Sequence, residues 1–153
     1  MKKQILILFV ALLSIATFGQ TAAKRAVEFN LENKVAIQGY DPVAYFTQKK
    51  AVKGKPAIAT TYEGVIYNFS SQANKDLFLK TPSAYEPQYG GWCAYAMGAN
   101  GEKVEINPET FKIVDGKLNL YYNAFFNNTL KSWNKDEVNL KKKADANWKK
   151  IIN

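Results

Sequence analysis

The residues best suited to chemistry in this 153-residue chain lie in the stretch YGGWCAYAM, residues 89–97. The stretch contains Met97 and Cys93, the only cysteine, and the chain has no histidine. If the stretch is helical, Cys93 and Met97 lie four residues apart on one face, and a thiolate with a thioether suits Cu(I). Two ligands are too few for a selective metal site, so selective copper binding would need a third donor from a second chain or a partner protein.

Two other interpretations of Cys93 stay open. At the start of a helix, after Gly90 and Gly91, the thiolate would be favoured, which predicts a thiol-based redox or stress protein acting through Cys93 alone. Alternatively, Cys93 and Met97 are buried apolar fillers, as cysteine and methionine commonly are. The sequence favours the filler interpretation over copper ligation, and copper ligation over a redox thiol.

A second candidate site is an aromatic groove in which Asp41 supplies the polar contact to an apolar or aromatic ligand. Asp41 also precedes Pro42, so the simpler alternative is a turn in which Asp41 bonds its own downstream backbone. The predicted ligand-binding set is Tyr40, Asp41, Tyr89, Trp92, Cys93 and Tyr95, with Tyr45 as a further wall of the groove.

The absence of histidine excludes several kinds of active site. Serine or cysteine nucleophiles with an imidazole base, histidine-ligated zinc and two-histidine iron centres all need a residue that this chain lacks. The carboxylates of Asp41, Glu102, Glu105 and Asp115 have no spacing that brings two together as a glycosidase pair. We therefore expect a non-enzymatic protein.

The N-terminal residues MKKQILILFVALLSIATFGQTAA predict a secretory signal peptide over residues 1–23. Two lysines precede an apolar run from Ile5 to Ala16, and small or polar residues follow. The run is shorter than the roughly 20 residues of a membrane-spanning helix, so we expect no span in the mature chain. Cleavage near Gln20 or Ala23 would leave one domain, residues 24–153, that is periplasmic or secreted.

The chain is basic, with a formal net charge of +8. Residues 131–150 contain seven lysines against Asp136, Glu137 and Asp145. Such a stretch can contact nucleic acid or an anionic membrane surface, but export argues against nucleic acid. A solvated helix face is the interpretation we favour.

Two β-hairpins are predicted, with turns at Glu63-Gly64 and Asp115-Gly116. Antiparallel pairing about these turns brings apolar residues to one face of each hairpin. The expected cross-strand pairs are Ile58 with Phe69, Thr60 with Tyr67, Tyr62 with Val65, Phe111 with Leu120, and Ile113 with Leu118.

Helices are predicted between and after the hairpins. Ser70 or Ser71 can cap a helix that turns Leu77 and Phe78 inward and ends before Pro82. At the C-terminus, apolar residues recur at helical spacing over residues 138–152, and we expect this amphipathic helix to dock on the sheet. Its apolar stripe is Leu140, Ala144, Trp148 and Ile151. The predicted fold is a small single α+β domain of two antiparallel β-hairpins packed with short helices and this C-terminal helix.

Several runs together resemble the exported single-domain branch of the YHS-domain family. They are GYDPVAYF, YEGVIYNFSSQANKDLF, TPSAYEPQYGG, IVDGKLNLYYN and KADANWKK. The resemblance implies a small α+β domain and a metal-binding context. In metal-site relatives, however, the motifs look like D-P-V-C and Y-x-F-C-S-x-x-C, whereas Ala44, Ser70 and Asn74 stand here at the cysteine positions.

These observations lead us to expect an exported, non-enzymatic YHS-type binding or accessory module for an unknown small ligand. It would have no resident cofactor. The alternatives are a Cu(I)-handling protein that uses Cys93 and Met97 and a redox protein that uses Cys93.

Overall fold

The computed structural model describes residues 21–153. Most of the predicted signal peptide lies outside the described residues, and the peptide stays a prediction. Residues 21–28 form a helix, α1, that the sequence analysis did not predict. Among residues 21–153, no helix is both long and apolar enough to cross a bilayer.

A four-stranded sheet has the strand order β1-β2-β4-β3. Its hairpin β3–β4 turns at Glu63 and Gly64, whose φ angles of 44° and 81° fit the predicted tight turn. Strand β2 runs parallel to β4. The strands are β1 Leu31–Glu32, β2 Val35–Ala36, β3 Lys55–Tyr62 and β4 Val65–Phe69.

The pairing near this turn is as predicted, with Tyr62 opposite Val65 and Thr60 opposite Tyr67. The predicted pair of Ile58 with Phe69 is wrong, because Phe69 lies opposite Lys55. The register shifts between Lys55 and Ala59. This segment contains Pro56, which has no N–H to give to a ladder and therefore favours a bulge.

The second predicted hairpin consists of β5 Asn107–Val114 and β6 Lys117–Tyr121. Both predicted pairs are confirmed, Phe111 with Leu120 and Ile113 with Leu118. The two leucines are buried and the other two side chains are partly exposed. A third, very short hairpin, β7 Asn123–Ala124 with β8 Asn127–Asn128, was not predicted.

Short helices connect the strands. Helix α3 begins after Ser71, whose side chain accepts a hydrogen bond from the Asn74 backbone N–H at 3.2 Å, and Phe78 of this helix is fully buried. The remaining helices are α2 Ala44–Thr47, α3 Gln72–Lys80, α4 Pro82–Tyr85, α5 Ala94–Ala99, α6 Thr129–Trp133 and α7 Glu137–Ile152. Two 3-10 turns cover Ile37–Gly39 and Gln88–Gly91. The structure is a small α+β domain, as predicted.

The C-terminal helix α7 packs along α5, so the expectation that it docks on the sheet is wrong. Leu140 and Ala144 of α7 are buried in a cluster with Met97 and Trp133. At the crossing, a Cβ atom on Gly98 would lie 2.5 Å from the carbonyl oxygen of Leu140. The backbone of α5 therefore touches the backbone of α7, and only a residue without a Cβ allows this approach.

We predict that Gly98→Ala lowers the free energy of unfolding by about 2 kcal/mol, because the new methyl group meets backbone that cannot rotate away. Alanine is otherwise the better helix former by about 1 kcal/mol, so a loss of stability would be steric in origin. Urea denaturation measures the change. A variant as stable as the wild type would contradict the close helix crossing.

Candidate functional site

The carboxylate of Asp41 is fully buried and accepts five hydrogen bonds. Its Oδ1 accepts from the backbone N–H groups of Val43 at 2.9 Å and Ala44 at 3.3 Å. Its Oδ2 accepts from the Ser70 N–H at 2.8 Å, the Ser70 hydroxyl at 2.6 Å and the Asn74 side-chain amide at 2.7 Å. One side chain thus joins the start of α2, the end of β4 and the first turn of α3.

The donors to Asp41 include the three positions at which resembling metal-binding proteins carry cysteine. Ala44, Ser70 and Asn74 surround the carboxylate, but none brings a thiolate. Two carboxylate oxygens offer about four lone-pair directions, and five protein donors already use them. Within residues 21–153, no group of three or more His, Cys, Asp or Glu side chains could hold a metal ion. A metal ion does not fit at this position, because hydrogen-bond donors already occupy the carboxylate oxygens.

Asp41 therefore has the geometry of the turn interpretation, because it bonds its own downstream backbone at Val43 and Ala44. No side of its carboxylate is left for a ligand.

Cys93 is fully buried and stands at the N-cap of α5. Its sulfur accepts a hydrogen bond from the Tyr122 backbone N–H at 3.4 Å and lies 3.4 Å from Thr129 Oγ1. The Thr129 hydroxyl donates its one hydrogen to the Tyr122 carbonyl, so the thiol is the donor in the Cys93–Thr129 contact. These two contacts, to residues distant in sequence, hold the sulfur within the fold.

Met97 is also fully buried, but in a different hydrophobic cluster from Cys93. Cys93 packs with the residues around the two hairpins, whereas Met97 packs between α5, α6 and α7 beside Tyr121 and Trp133. The helical spacing of the two residues is as predicted. Their side chains nevertheless belong to different hydrophobic clusters.

The predicted aromatic groove is not assembled as one surface. Tyr45 is fully buried and its hydroxyl donates to the Pro108 carbonyl at 2.9 Å. The ring of Tyr40 instead faces the Lys53 ammonium at 4.7 Å.

The other aromatic members of the set are also dispersed. The indole N–H of Trp92 donates to the Glu28 carbonyl at 2.7 Å. Tyr95 and Cys93 border one cavity of about 330 Å³, whereas Tyr89 borders another.

The cavity beside Tyr89 is a groove of about 510 Å³ between α1, the Gln88–Gly91 turn and the end of α7. We name it the α1–α7 groove. Its lining combines aromatic rings with charged groups and includes Lys24, Arg25, Phe29, Glu86, Tyr89, Gly90, Trp148 and Asn153.

The two cations of the groove differ in their partners. Arg25 is buried, forms an ion pair with Glu86 and donates to the Glu63 carbonyl at 3.2 Å. Burial alone would lower the pKa of Arg25, but the hydrogen bond and charge of Glu86 outweigh it and raise this pKa. Lys24 has no hydrogen-bond or ion-pair partner among residues 21–153. Arg25 is therefore a structural cation, and Lys24 is available to a ligand.

The aromatic wall of the groove is rigid. Tyr89 and Gly90 have φ angles of 56° and 60°, and a Cβ on Gly90 would lie 2.7 Å from the Trp148 ring. Trp148 and Phe29 pack with ring centroids 5.8 Å apart. Burial, followed by the charge and hydrogen bond of Asp145, raises the pKa of Tyr89, so this phenol stays a hydrogen-bond donor to Asp145.

Sequence reasoning found only Tyr89 of this groove. The Gly-Gly pair marked the close packing, but nothing local linked it to Trp148, which is 58 residues beyond Gly90 along the chain.

We predict that Asp41→Asn lowers the free energy of unfolding by about 3 kcal/mol, because the amide group of asparagine points N–H donors at N–H donors. Asp76→Asn is the matched control. Asp76 lies exposed on α3 and accepts from Gln72, so its change should stay within about 0.5 kcal/mol. The urea concentration at the midpoint of unfolding measures both changes in stability. Equal midpoints for the two variants, or recovery of the Asp41 variant by added Zn²⁺, would refute the hydrogen-bonded centre.

The comparison with protein families gives one result that bears on this geometry. The YHS-domain family model matches residues 43–89, which run from α2 through the β3–β4 hairpin and α3 to Tyr89. No curated protein and no solved structure gave a significant match. The matched segment contains every residue that donates to the Asp41 carboxylate, and this match supports membership of the YHS-domain family.

Proposed function

We propose that the protein is a non-enzymatic YHS-type binding module that acts outside the cytoplasm. Its ligand is a small amphipathic molecule with an aromatic or apolar body and an acidic group, and its site is the α1–α7 groove. The observation that carries the proposal is the unpartnered Lys24 in the same groove as the aromatic walls formed by Phe29 and Trp148.

The groove has the size and composition of a small-molecule site. A volume of about 510 Å³ lies within the roughly 300–1,000 Å³ of typical ligand pockets, which combine apolar walls with a few polar groups. The buried Arg25–Glu86 pair fixes α1 against the Gln88–Gly91 turn without consuming Lys24. The basic charge of the chain, +8 with Lys2 and Lys3 of the predicted signal peptide included, would attract an anionic ligand at long range.

The proposal that the module is non-enzymatic rests on the groups near the groove. Ser83 is one of the hydroxyl-bearing residues that border it, with Thr21 and Tyr89, and Glu86 is the nearest carboxylate to Ser83 in sequence. Glu86 accepts from Arg25 and from the Tyr67 hydroxyl, so it is not poised as a base for Ser83. With no histidine in the chain, the groove supplies binding contacts and no proton relay.

Export is supported by the residue pattern of positions 1–23. The copper and redox alternatives both require an available Cys93 sulfur, and its full burial and its separation from Met97 favour neither.

We predict that the Cys93 thiol of the native protein reacts with a small aromatic disulfide reagent at least about 100-fold more slowly than the thiol of the unfolded chain, because reaction requires the site to open. Absorbance of the released thiolate at neutral pH measures both rates. The protein in guanidinium is the control and should release one equivalent. Complete labelling of the native protein within the reagent's ordinary reaction time would favour the redox or copper alternative instead.

We predict that 8-anilinonaphthalene-1-sulfonate binds the groove, because it joins an aromatic body to an acidic group. Lys24→Gln should weaken binding roughly 5- to 10-fold, which corresponds to about 1 kcal/mol for one charge-assisted contact. Fluorescence titration measures the affinity. Lys50→Gln, at an exposed loop position outside the groove lining, is the control and should bind as the wild type does.

A second probe separates the charge from the aromatic body. N-phenyl-1-naphthylamine lacks the sulfonate, so its affinity should be the same for the wild type and Lys24→Gln. If the wild type, Lys24→Gln and Lys50→Gln bind 8-anilinonaphthalene-1-sulfonate with equal affinity, the proposed site is refuted.

A further inference from the structure

Among residues 21–153, the most exposed large apolar side chains are two adjacent phenylalanines at the tip of the β7–β8 hairpin. Phe125 is 92% exposed and Phe126 is 112% exposed, and neither belongs to a hydrophobic cluster. Both residues have left-handed backbone angles, φ 50° and φ 64°. The tip thus combines full exposure with a conformation that bulky residues rarely adopt.

The other hairpins of this chain show what such a turn normally requires. The β3–β4 and β5–β6 turns use Glu63-Gly64 and Asp115-Gly116, each with glycine at the second left-handed position. Asn-Gly and Asp-Gly are the preferred pairs in such turns. Two phenylalanines in the same geometry lower stability and bury nothing, so the fold itself gives no reason for them.

The base of the hairpin holds the tip in a defined position. Asn123 pairs with Asn128, and its side chain donates to Thr110 Oγ1 at 3.0 Å. Asn128 caps α6 by accepting from the Leu130 N–H at 3.1 Å. The phenylalanines are therefore presented from a fixed support, in a hairpin that also contains Asn123, Asn127 and Asn128.

The chain that follows the hairpin is cationic. Lys131 and Lys135 are exposed, and their side-chain ammonium groups have no hydrogen-bond or ion-pair partner in the described part of the chain. Of the nearby carboxylates, Glu137 is paired with Lys112, Asp136 accepts only from the Asn139 amide, and Glu109 on β5 is exposed. Residues 131–150 as a whole carry seven lysines against three carboxylates.

We infer that the Phe125–Phe126 tip inserts into the interfacial region of an anionic lipid bilayer while Lys131 and Lys135 contact lipid phosphates. A narrow apolar tip beside unpaired cations fits this partner, because a fluid interface needs no complementary shape. A protein partner would need a shaped apolar pocket and would use a continuous contact surface around the tip, which the polar base does not offer. The surface is separate from the α1–α7 groove.

Vesicle cosedimentation of the purified protein tests this inference. The wild type should bind vesicles of equal parts phosphatidylcholine and phosphatidylglycerol at least 10-fold more tightly than vesicles of phosphatidylcholine alone. The double variant Phe125→Asn with Phe126→Gly should bind the anionic vesicles at least 10-fold more weakly. Since Asn-Gly suits this turn, the variant should melt no lower than the wild type, so weaker binding would not reflect unfolding.

Three further variants separate the possible causes. Val27→Ser removes another exposed apolar side chain and should leave vesicle binding unchanged. Lys131→Gln with Lys135→Gln should weaken binding several-fold and reduce its salt dependence. Lys24→Gln should bind vesicles as the wild type does, which distinguishes this surface from the groove.

Insertion can be observed directly with Phe126→Trp, whose fluorescence should shift to the blue with anionic vesicles. The inference is overturned if the wild type does not bind the vesicles, if the Asn-Gly variant binds as tightly as the wild type, or if the tip instead cross-links to a protein in the absence of lipid binding.

Discussion

The structure depends on the burial of one carboxylate. A carboxylate removed from water must recover its hydrogen bonds from the protein, and Asp41 does so from the backbone of α2, from both donors of Ser70 and from the Asn74 amide. These contacts fix the end of β4 relative to α3. Tyr67 of β4 then donates to Glu86, and Glu86 pairs with Arg25 of α1. Strand β4 thus connects the Asp41 centre, through Tyr67, Glu86 and Arg25, to the groove that we propose as the ligand site.

The same centre shows how the segment that matches the YHS-domain model is organised around hydrogen bonds. Clustered cysteine thiolates repel one another and need a cation between them, whereas a single carboxylate needs only neutral donors. Ala44, Ser70 and Asn74 supply small or neutral groups at the positions in question, and the carboxylate takes the central place. In the described residues, this centre is therefore held together by hydrogen bonds to one carboxylate.

Local chemistry explains which parts of the fold were predictable. Glu63-Gly64 and Asp115-Gly116 specify tight turns by their own conformational preferences, and Ser71 caps α3 through a contact three residues away. The packing of α7 on Gly98 depends on partners distant in sequence, so it was not predicted.

For the candidate sites too, local sequence predicted some features, and others depended on tertiary packing. An aromatic residue in a loop fits a core and a groove equally well, and only tertiary packing separated buried Tyr45 from groove-lining Tyr89. The β7–β8 hairpin escaped prediction because its turn residues are phenylalanines, which give no turn signal.

Native-state hydrogen exchange tests the central claim most directly. If the Asp41 carboxylate holds α2 and α3 together, the Val43 and Ser70 amide hydrogens should exchange only through global unfolding. Their opening free energy should then equal the free energy of unfolding measured with denaturant. Added Zn²⁺ should leave their rates unchanged. Exchange of either amide through a local opening several kcal/mol below the global value, or protection that increases with Zn²⁺, would contradict the account.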